Sequence, residues 1–166
     1  IQIQGVRRTP SGPDPEHLEN QVRAHQPKLF FTQSFAHNPT GSSIDLPTAH
    51  AVLSIADRCG LRIIENDPFK DLMAPGDILL SSIDQFKSVI FVGTFAKTLS
   101  ASLRSGYIAA DPKTISSITD LKMVTIVNSS GHVESVVSNI IANGHYRRHI
   151  KRLKERISNA VGSCKV

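Results

Sequence analysis

Three side chains with complementary chemistry lie close together in the chain: Thr94, Lys97 and Arg104. The primary amine of a lysine condenses with aldehydes. Arg104 follows Lys97 by seven residues, and its forked set of N–H donors suits a phosphate group, to which the Thr94 hydroxyl adds another donor. These groups could hold a small phosphorylated aldehyde. Alternatively, Lys97 and Arg104 are two ordinary members of the 19 surface lysine and arginine residues.

Two further polar motifs precede this segment. Residues 38–41 (Asn-Pro-Thr-Gly) are of types that favour turns, so a plain turn is their simplest interpretation. Residues 65–69 (Glu-Asn-Asp-Pro-Phe) end a predicted strand, where α/β proteins place ligand-contacting groups. A carboxylate there would favour the charged form of a nearby basic group, because an opposite charge stabilises it. The alternative is that Asp67 is an ordinary loop acid before Pro68.

The elements that must position these residues are those of an α/β domain. The predicted strands are residues 29–32, 61–64, 89–92 and 107–110. Their near-continuous hydrophobicity predicts strands covered on both faces. Asp45 is expected to cap a helix that Gly60 ends, which makes residues 29–64 a predicted βαβ unit. Further helices are predicted from Pro13 to about His25, from Asp111 through Leu121, over 133–141 and over 146–161.

Composition places the chain among ordinary soluble globular proteins of one domain, with 166 residues, 40% of them apolar and 20% charged. No apolar run is long enough for a membrane span and no signal peptide is visible, so we expect a cytoplasmic protein with no membrane partner. Cys59 and Cys164 are too few and too far apart for a disulfide framework.

The net charge of +5 is confined to one predicted helix. Residues 147–156 contain six basic residues and one acid, and the rest of the chain is neutral. A solvated helix face explains this charge at least as well as nucleic-acid binding does. His145 and His149 lie one helical turn apart without the acid of a zinc motif, so we predict no metal site and a solvated pair. Glycine spacing gives no nucleotide loop, and no serine hydrolase elbow is present.

From about Gly5 to Arg156, the order and spacing of these motifs resemble fold-type I pyridoxal-phosphate-dependent aminotransferases of class I/II. The segments 65–72 and 93–110, with the basic helix after them, are most similar to the aminotransferase-like domain of MocR/GntR-type transcriptional regulators. The resemblance implies a three-layer α/β sandwich with a mostly parallel sheet, part of the large domain of the pyridoxal-phosphate-dependent transferase fold. It also implies pyridoxal 5'-phosphate (PLP) as cofactor.

The resemblance assigns roles to individual residues. Lys97 would be the catalytic lysine that forms a Schiff base with PLP, Arg104 and Thr94 would hold its phosphate, and Asn38 would donate a hydrogen bond to its phenolic oxygen.

The match is imperfect near the ring nitrogen of the cofactor. Counted from Gly60, the family's acid aligns with Asn66, while Asp67 lies one position later, so either residue could face that nitrogen. Phe69 stands where the family commonly has a tyrosine that contacts the cofactor oxygen. Transamination is therefore less well supported than cofactor binding.

The resemblance also implies a domain organisation. Residues 1–144 would be a partial PLP-binding large domain, and residues 145–166 a basic amphipathic helix that leads toward a missing C-terminal small domain. The chain begins with Ile1 rather than Met and lacks matches to the upstream phosphate loop and the cofactor-stacking ring, so we expect a fragment that binds PLP weakly alone.

Three functions stay open. The first is the effector domain of a GntR/MocR-type regulator, homodimeric when intact, which senses an amino-acid ligand and contacts DNA only through a domain absent from this chain. The second is a stand-alone aminotransferase acting on an amino acid and a 2-oxo acid, of the 2-aminoadipate type. The third is a degenerate domain that no longer binds the cofactor.

Overall fold

A four-stranded sheet forms the centre of the structure, a computed structural model that describes residues 1–74, 76–126 and 129–163. A short antiparallel hairpin of β1 (Arg8–Thr9) and β2 (Gly12–Pro13) precedes it. The central strands are β3 (Leu29–Thr32), β4 (Arg62–Asn66), β5 (Val89–Thr94) and β6 (Gly106–Ala109), and they lie in that order. Strands β3, β4 and β5 are parallel, and β6 is antiparallel to β5. Cys164 and the end of the segment 145–166 lie outside the described residues.

Six helices surround the sheet in the described residues: α1 (Pro15–His25), α2 (Leu46–Cys59), α3 (Leu80–Asp84), α4 (Pro112–Thr125), α5 (Gly131–Ala142) and α6 (His145–Ser163). Two 3₁₀ turns, Lys70–Leu72 and Ala101–Leu103, lie in the loops. No helix of residues 1–74, 76–126 or 129–163 is both long and apolar enough to cross a bilayer.

The helix signals in the sequence act as predicted. The Asp45 carboxylate accepts the Thr48 backbone N–H at 2.9 Å, and Gly60 ends α2 with a left-handed φ of 63°. Asp14 and Asp111 cap α1 and α4 in the same way. The unit β3-α2-β4 is the predicted βαβ unit, and the mostly parallel α/β class is confirmed.

Strand β6 runs antiparallel because the connection from β5 is short. Only residues 95–105 separate the two strands, whereas a parallel neighbour needs a crossover of about a dozen residues or more. Strands β4 and β5 each extend two residues beyond the predicted ends, so Asn66 and Thr94 become their last residues.

The prediction that the strands are covered on both faces is wrong for the edge strands. Helices α1 and α2 pack their apolar residues on the face that carries Ile63 and Val89. Phe31 on β3 stays 65% exposed and Ile108 on β6 42% exposed. These are the two outer strands of the sheet in the described residues, and α4, which follows β6, buries none of its own residues.

Glu65 joins three elements at the end of β4. Its side chain is 0% exposed and accepts the Ser34 hydroxyl proton, the Leu80 backbone N–H at 2.6 Å and the Ser81 backbone N–H at 2.9 Å. A buried carboxylate needs such donors, since an unpaired one would be very costly. Glu65 therefore fixes the segment after β3 and the start of α3 relative to β4.

Replacing this carboxylate should destabilise the fold. We expect Glu65→Gln to lower the free energy of unfolding by about 1–3 kcal/mol. The amide NH₂ would replace one acceptor oxygen, so a buried backbone N–H would face another donor and lose its hydrogen bond. The exposed Glu155 on α6 provides the matched control, and Glu155→Gln should stay within about 0.5 kcal/mol. Urea denaturation measures both, and equal effects of the two changes would contradict the role of Glu65.

Candidate cofactor-binding site

All predicted site residues lie at one edge of the sheet. The carboxyl ends of β3, β4 and β5 meet there because the three strands are parallel, and ligands of α/β proteins bind outside such ends. The predicted residues occupy the strand ends or the segments that follow them: Asn38 after β3, Asn66, Asp67 and Phe69 at and after β4, and Thr94, Lys97 and Arg104 at and after β5. The parallel sheet thus places the three motifs of the sequence at the same edge.

Lys97 and Arg104 belong to one closed loop between β5 and β6. The Phe95 backbone N–H donates to the Ser105 carbonyl at 3.1 Å, which holds the two ends of the loop together. Both side chains are exposed, and within residues 1–74, 76–126 and 129–163 neither forms a salt bridge. Arg104 has a left-handed φ of 47° because it is the C-cap of the 3₁₀ turn Ala101–Leu103, and its N–H donates to the Ala101 carbonyl. The loop therefore carries two exposed cations.

The Thr94 hydroxyl is engaged within the same loop. It donates to the Ser105 carbonyl at 3.3 Å and accepts the Ala96 backbone N–H at 3.1 Å. To donate to a phosphate, this hydroxyl would have to turn away from Ser105. The two hydrogen bonds that the Thr94 hydroxyl makes in this structure stabilise the loop itself.

The motif at residues 38–41 is a turn, as its residue types predict. The Asn38 backbone N–H donates to Oε1 of Gln33 at 3.2 Å, and Nε2 of Gln33 donates to the carbonyls of Phe35 and Ala36, each at 3.0 Å. The buried Gln33 thus organises the turn from within, while the Asn38 side chain is exposed. Asn38 is free to contact a ligand at the sheet edge.

Asp67 is not the ordinary loop acid of the alternative interpretation. It is 1% exposed, and its two oxygens accept the backbone N–H groups of Ser34 at 3.1 Å and Phe35 at 3.0 Å. The half-buried Asn66 pairs in register with Val92, two residues from Thr94, so Asn66 and Thr94 belong to the same sheet face. Both Asp67 oxygens are thus engaged by backbone, whereas Asn66 shares a face with a predicted phosphate contact.

The surroundings of Asp67 raise its pKa to about 6, chiefly because burial disfavours the charged carboxylate. The Phe35 N–H lowers this pKa, the neighbouring Glu65 charge raises it, and the Ser34 N–H and the Arg8 charge lower it again. Arg8 is held at this place by a hydrogen bond from its Nε to the Ser42 hydroxyl, at 3.1 Å. Burial lowers the pKa of Arg8, and the charge of Asp67 opposes that shift.

Phe69 lines a cavity of about 550 Å³ beside the strand ends. Phe35 and Ile157 of α6 also line this cavity. The absence of a tyrosine hydroxyl at position 69 leaves this part of the lining apolar. The cavity has the size of a small-molecule site and adjoins the segments that carry Asn38 and Asp67.

Sequence reasoning missed the contact between α6 and the Lys97 loop. The hydroxyls of Thr98 and Tyr146 lie 2.9 Å apart, Tyr146 donates to Asp71, and Nε2 of His149 lies 2.7 Å from the Thr98 carbonyl oxygen. His149 is exposed, as the interpretation of a solvated pair expects, but its ring also contacts the Thr98 carbonyl oxygen. The apolar stripe of α6, which includes Tyr146, was the signal that this face packs against another element.

The sequence profile described as "Aminotransferase class I and II" matches residues 3–164. The chain belongs to this aminotransferase family. The predicted family and the PLP type of domain are thereby confirmed.

Similar proteins in this family include regulators and enzymes. The chain is 29% identical over 149 residues to the uncharacterized HTH-type transcriptional regulator YdfD of Bacillus subtilis, covering 87% of this chain and 30% of YdfD. It is 30% identical over 145 residues to (S)-3,5-dihydroxyphenylglycine transaminase of Amycolatopsis orientalis, covering 80% of this chain and 33% of the transaminase. The chain thus spans about a third of the length of these relatives.

A solved aminotransferase has the same fold. Kynurenine aminotransferase of Pyrococcus horikoshii, crystallised in complex with PMP, superposes with a TM-score of 0.84 at 22% identity. The match covers 90% of this chain and 39% of the aminotransferase. The predicted transferase fold is confirmed for the part that this chain represents.

The raised pKa of Asp67 predicts a pH-dependent stability. Its ordinary value is 3.8 and its folded value about 6, so the folded state binds this proton more tightly than the unfolded chain. The contribution of Asp67 is therefore fully present below about pH 4 and is lost as pH rises through about 6. Relative to Asp67→Asn, which does not titrate, the wild-type unfolding free energy should fall by about 3 kcal/mol over this window.

Urea denaturation of both proteins at several pH values measures this difference. The comparison cancels the other titrating groups, because they are common to both proteins. A difference that stays constant or increases with pH would contradict the raised pKa of Asp67.

Proposed function

We propose that the chain is the PLP-binding effector domain of a GntR/MocR-type transcriptional regulator. The observation that carries this proposal is the pair of cations Lys97 and Arg104, held in one loop at the strand ends without a carboxylate partner in the described residues. A dianionic phosphate and an aldehyde on one small molecule complement such a pair. The HTH-type regulators among the relatives support the regulatory assignment.

The side chains at this edge fit the chemical groups of PLP. When bound, PLP supplies an aldehyde for covalent attachment and an electron-withdrawing ring. The Lys97 amine is the attachment point, and its Nζ takes up or releases the proton of the reaction. The Arg104 guanidinium and the Thr94 hydroxyl donate to the phosphate. The Asn38 amide donates to the phenolic oxygen.

We assign Asn66 rather than Asp67 to the ring nitrogen. Both oxygens of Asp67 are engaged by backbone N–H groups of the segment after β3, whereas Asn66 shares a sheet face with Thr94. A neutral amide can hydrogen-bond to a ring nitrogen but cannot hold its proton as a carboxylate does. Phe69 likewise offers no hydroxyl. With neutral side chains at positions 66 and 69, we infer that the domain binds an amino acid rather than converting it rapidly.

The remainder of the proposal concerns the whole protein. We assign residues 1–144 to the cofactor domain and residues 145–166 to a helix that leads toward a second domain. The intact regulator would be a cytoplasmic homodimer that recognises an amino-acid effector and contacts DNA through a separate domain.

A second candidate function is a class I/II aminotransferase that acts on an amino acid and a 2-oxo acid. The transaminase of Amycolatopsis orientalis, 30% identical to this chain, favours it. Formation of a 2-oxo acid by the full-length protein would support the enzyme. Binding of an amino acid without turnover, accompanied by a change in DNA affinity, would support the regulator.

Covalent trapping tests the role of Lys97. We expect borohydride reduction of the full-length protein with PLP, followed by peptide mapping, to place the label on Lys97, and Lys97→Ala to abolish it. Lys113 on α4 is an exposed lysine that follows β6 at the opposite edge of the sheet, so Lys113→Ala should leave the labelling unchanged. A label that lies mainly on other lysines would overturn the proposal.

The phosphate contact of Arg104 gives an independent test. Arg104→Lys keeps the charge but loses the forked donors, so the dissociation constant for PLP should rise about tenfold. Arg23→Lys makes the same change in the last turn of α1, at the amino ends of the strands, and should have no effect. Equilibrium titration of PLP by absorbance measures both variants. Equal affinities of the Arg104 variant and the wild type would exclude this role.

A further inference from the structure

Helix α6 contacts the Lys97 loop on both sides of the lysine. The Tyr146 ring meets the Phe95 ring edge-on, with centroids 5.6 Å apart and an interplanar angle of 83°. Its hydroxyl lies 2.9 Å from the Thr98 hydroxyl. The His149 imidazole lies 2.7 Å from the Thr98 carbonyl oxygen. One face of α6 therefore holds the residue two positions before Lys97 and the residue directly after it.

The direction of these hydrogen bonds follows from the acceptors. Tyr146 donates its only hydroxyl proton to the Asp71 carboxylate, so its oxygen accepts the proton of Thr98. The Thr98 carbonyl can only accept, so Nε2 of His149 is the donor. Thr98 is 2% exposed and is fixed at both its side chain and its backbone.

The Tyr146 hydroxyl keeps its donor role at neutral pH. Burial and the hydrogen bond to Asp71 raise the pKa of Tyr146, while the bond from Thr98 opposes the shift. The anchor of the network is Asp71, whose 3₁₀ turn contacts α6. Lys70 of the same turn lies over the Tyr107 ring, 5.6 Å from its centroid.

We propose that Tyr146 and His149 are positioning residues for Lys97. By fixing Thr98 they hold the backbone from which the lysine side chain leaves, so the amine keeps one direction toward the sheet edge. A lysine side chain has many rotamers, and a fixed base reduces the freedom that is lost when its amine reacts. This inference rests on the proposed function, because it concerns the reaction of Lys97 with PLP.

Two tyrosines of the same aromatic cluster provide a matched pair of variants. Tyr146→Phe keeps the ring against Phe95 and removes the hydroxyl that links Thr98 to Asp71. Tyr107→Phe is the control, since the Tyr107 ring packs against Phe95 at 5.5 Å while its hydroxyl lies near Lys70. Thr98→Val and Thr98→Ser form a second pair, because serine keeps the hydroxyl and valine removes it.

The experiment uses full-length protein with PLP and three readouts. These are the rate of borohydride trapping on Lys97, the pH midpoint of the visible absorbance of bound PLP, and the urea midpoint of unfolding. We expect Tyr146→Phe and Thr98→Val to slow trapping about tenfold, the scale of one hydrogen bond, and to move the pH midpoint by about half a unit. Tyr107→Phe and Thr98→Ser should stay within about twofold of the wild type.

The outcomes separate this inference from the proposed function. If the wild type is labelled on Lys97 but Tyr146→Phe matches Tyr107→Phe in trapping rate and pH midpoint, the positioning role is overturned and the proposed function stands. A lower urea midpoint with unchanged trapping and absorbance shows a purely structural role and overturns it too. If the wild type is not labelled on Lys97, the proposed function itself fails.

Discussion

Two buried carboxylates at the end of β4 hold the site edge together. Glu65 accepts the Ser34 hydroxyl and the first backbone N–H groups of α3, and Asp67 accepts the backbone N–H groups of Ser34 and Phe35. Buried backbone N–H groups need an acceptor. The N–H groups of the segment after β3 find theirs in the side chain of Asp67, which follows β4. The turn that carries Asn38 and the walls of the adjoining cavity depend on this arrangement.

The alternation of a strand explains why we propose Asn66, and not one of the two acids, as the ligand contact. Glu65 lies on the face packed by α1, α2 and α3, and Asn66 lies on the other face with Val92. Asp67 follows the strand and turns toward the segment after β3. The two acids at this strand end are therefore buried structural groups, and the side chain proposed to contact the ring is neutral.

The parts of the fold that could be predicted are those set by residues close together in the sequence, such as helix caps and apolar periodicity. Asp45, Gly60 and the apolar periodicity of α2 act within one helix, so the βαβ unit followed from them. The site order followed because strand ends of a parallel sheet share an edge. The roles of Ser34, Tyr146 and His149 were missed, because their bonds join residues 33, 48 and 51 positions apart. Such contacts cannot be predicted from the spacing of residues within one segment. The backbone partners of Glu65 and Asp67 could not be predicted either.

The two outer strands of the sheet have a consequence for handling the chain. Within the described residues, β3 and β6 each have a neighbour on one side only, so their outer backbone N–H and C=O groups are available for pairing. On β3 these groups lie beside the exposed rings and alkyl groups of Phe31 and Leu29. A strand with free backbone and apolar side chains recruits other strands, and this chain carries no lysine or proline within β3 to prevent it. We therefore expect this chain, when isolated, to self-associate through β3.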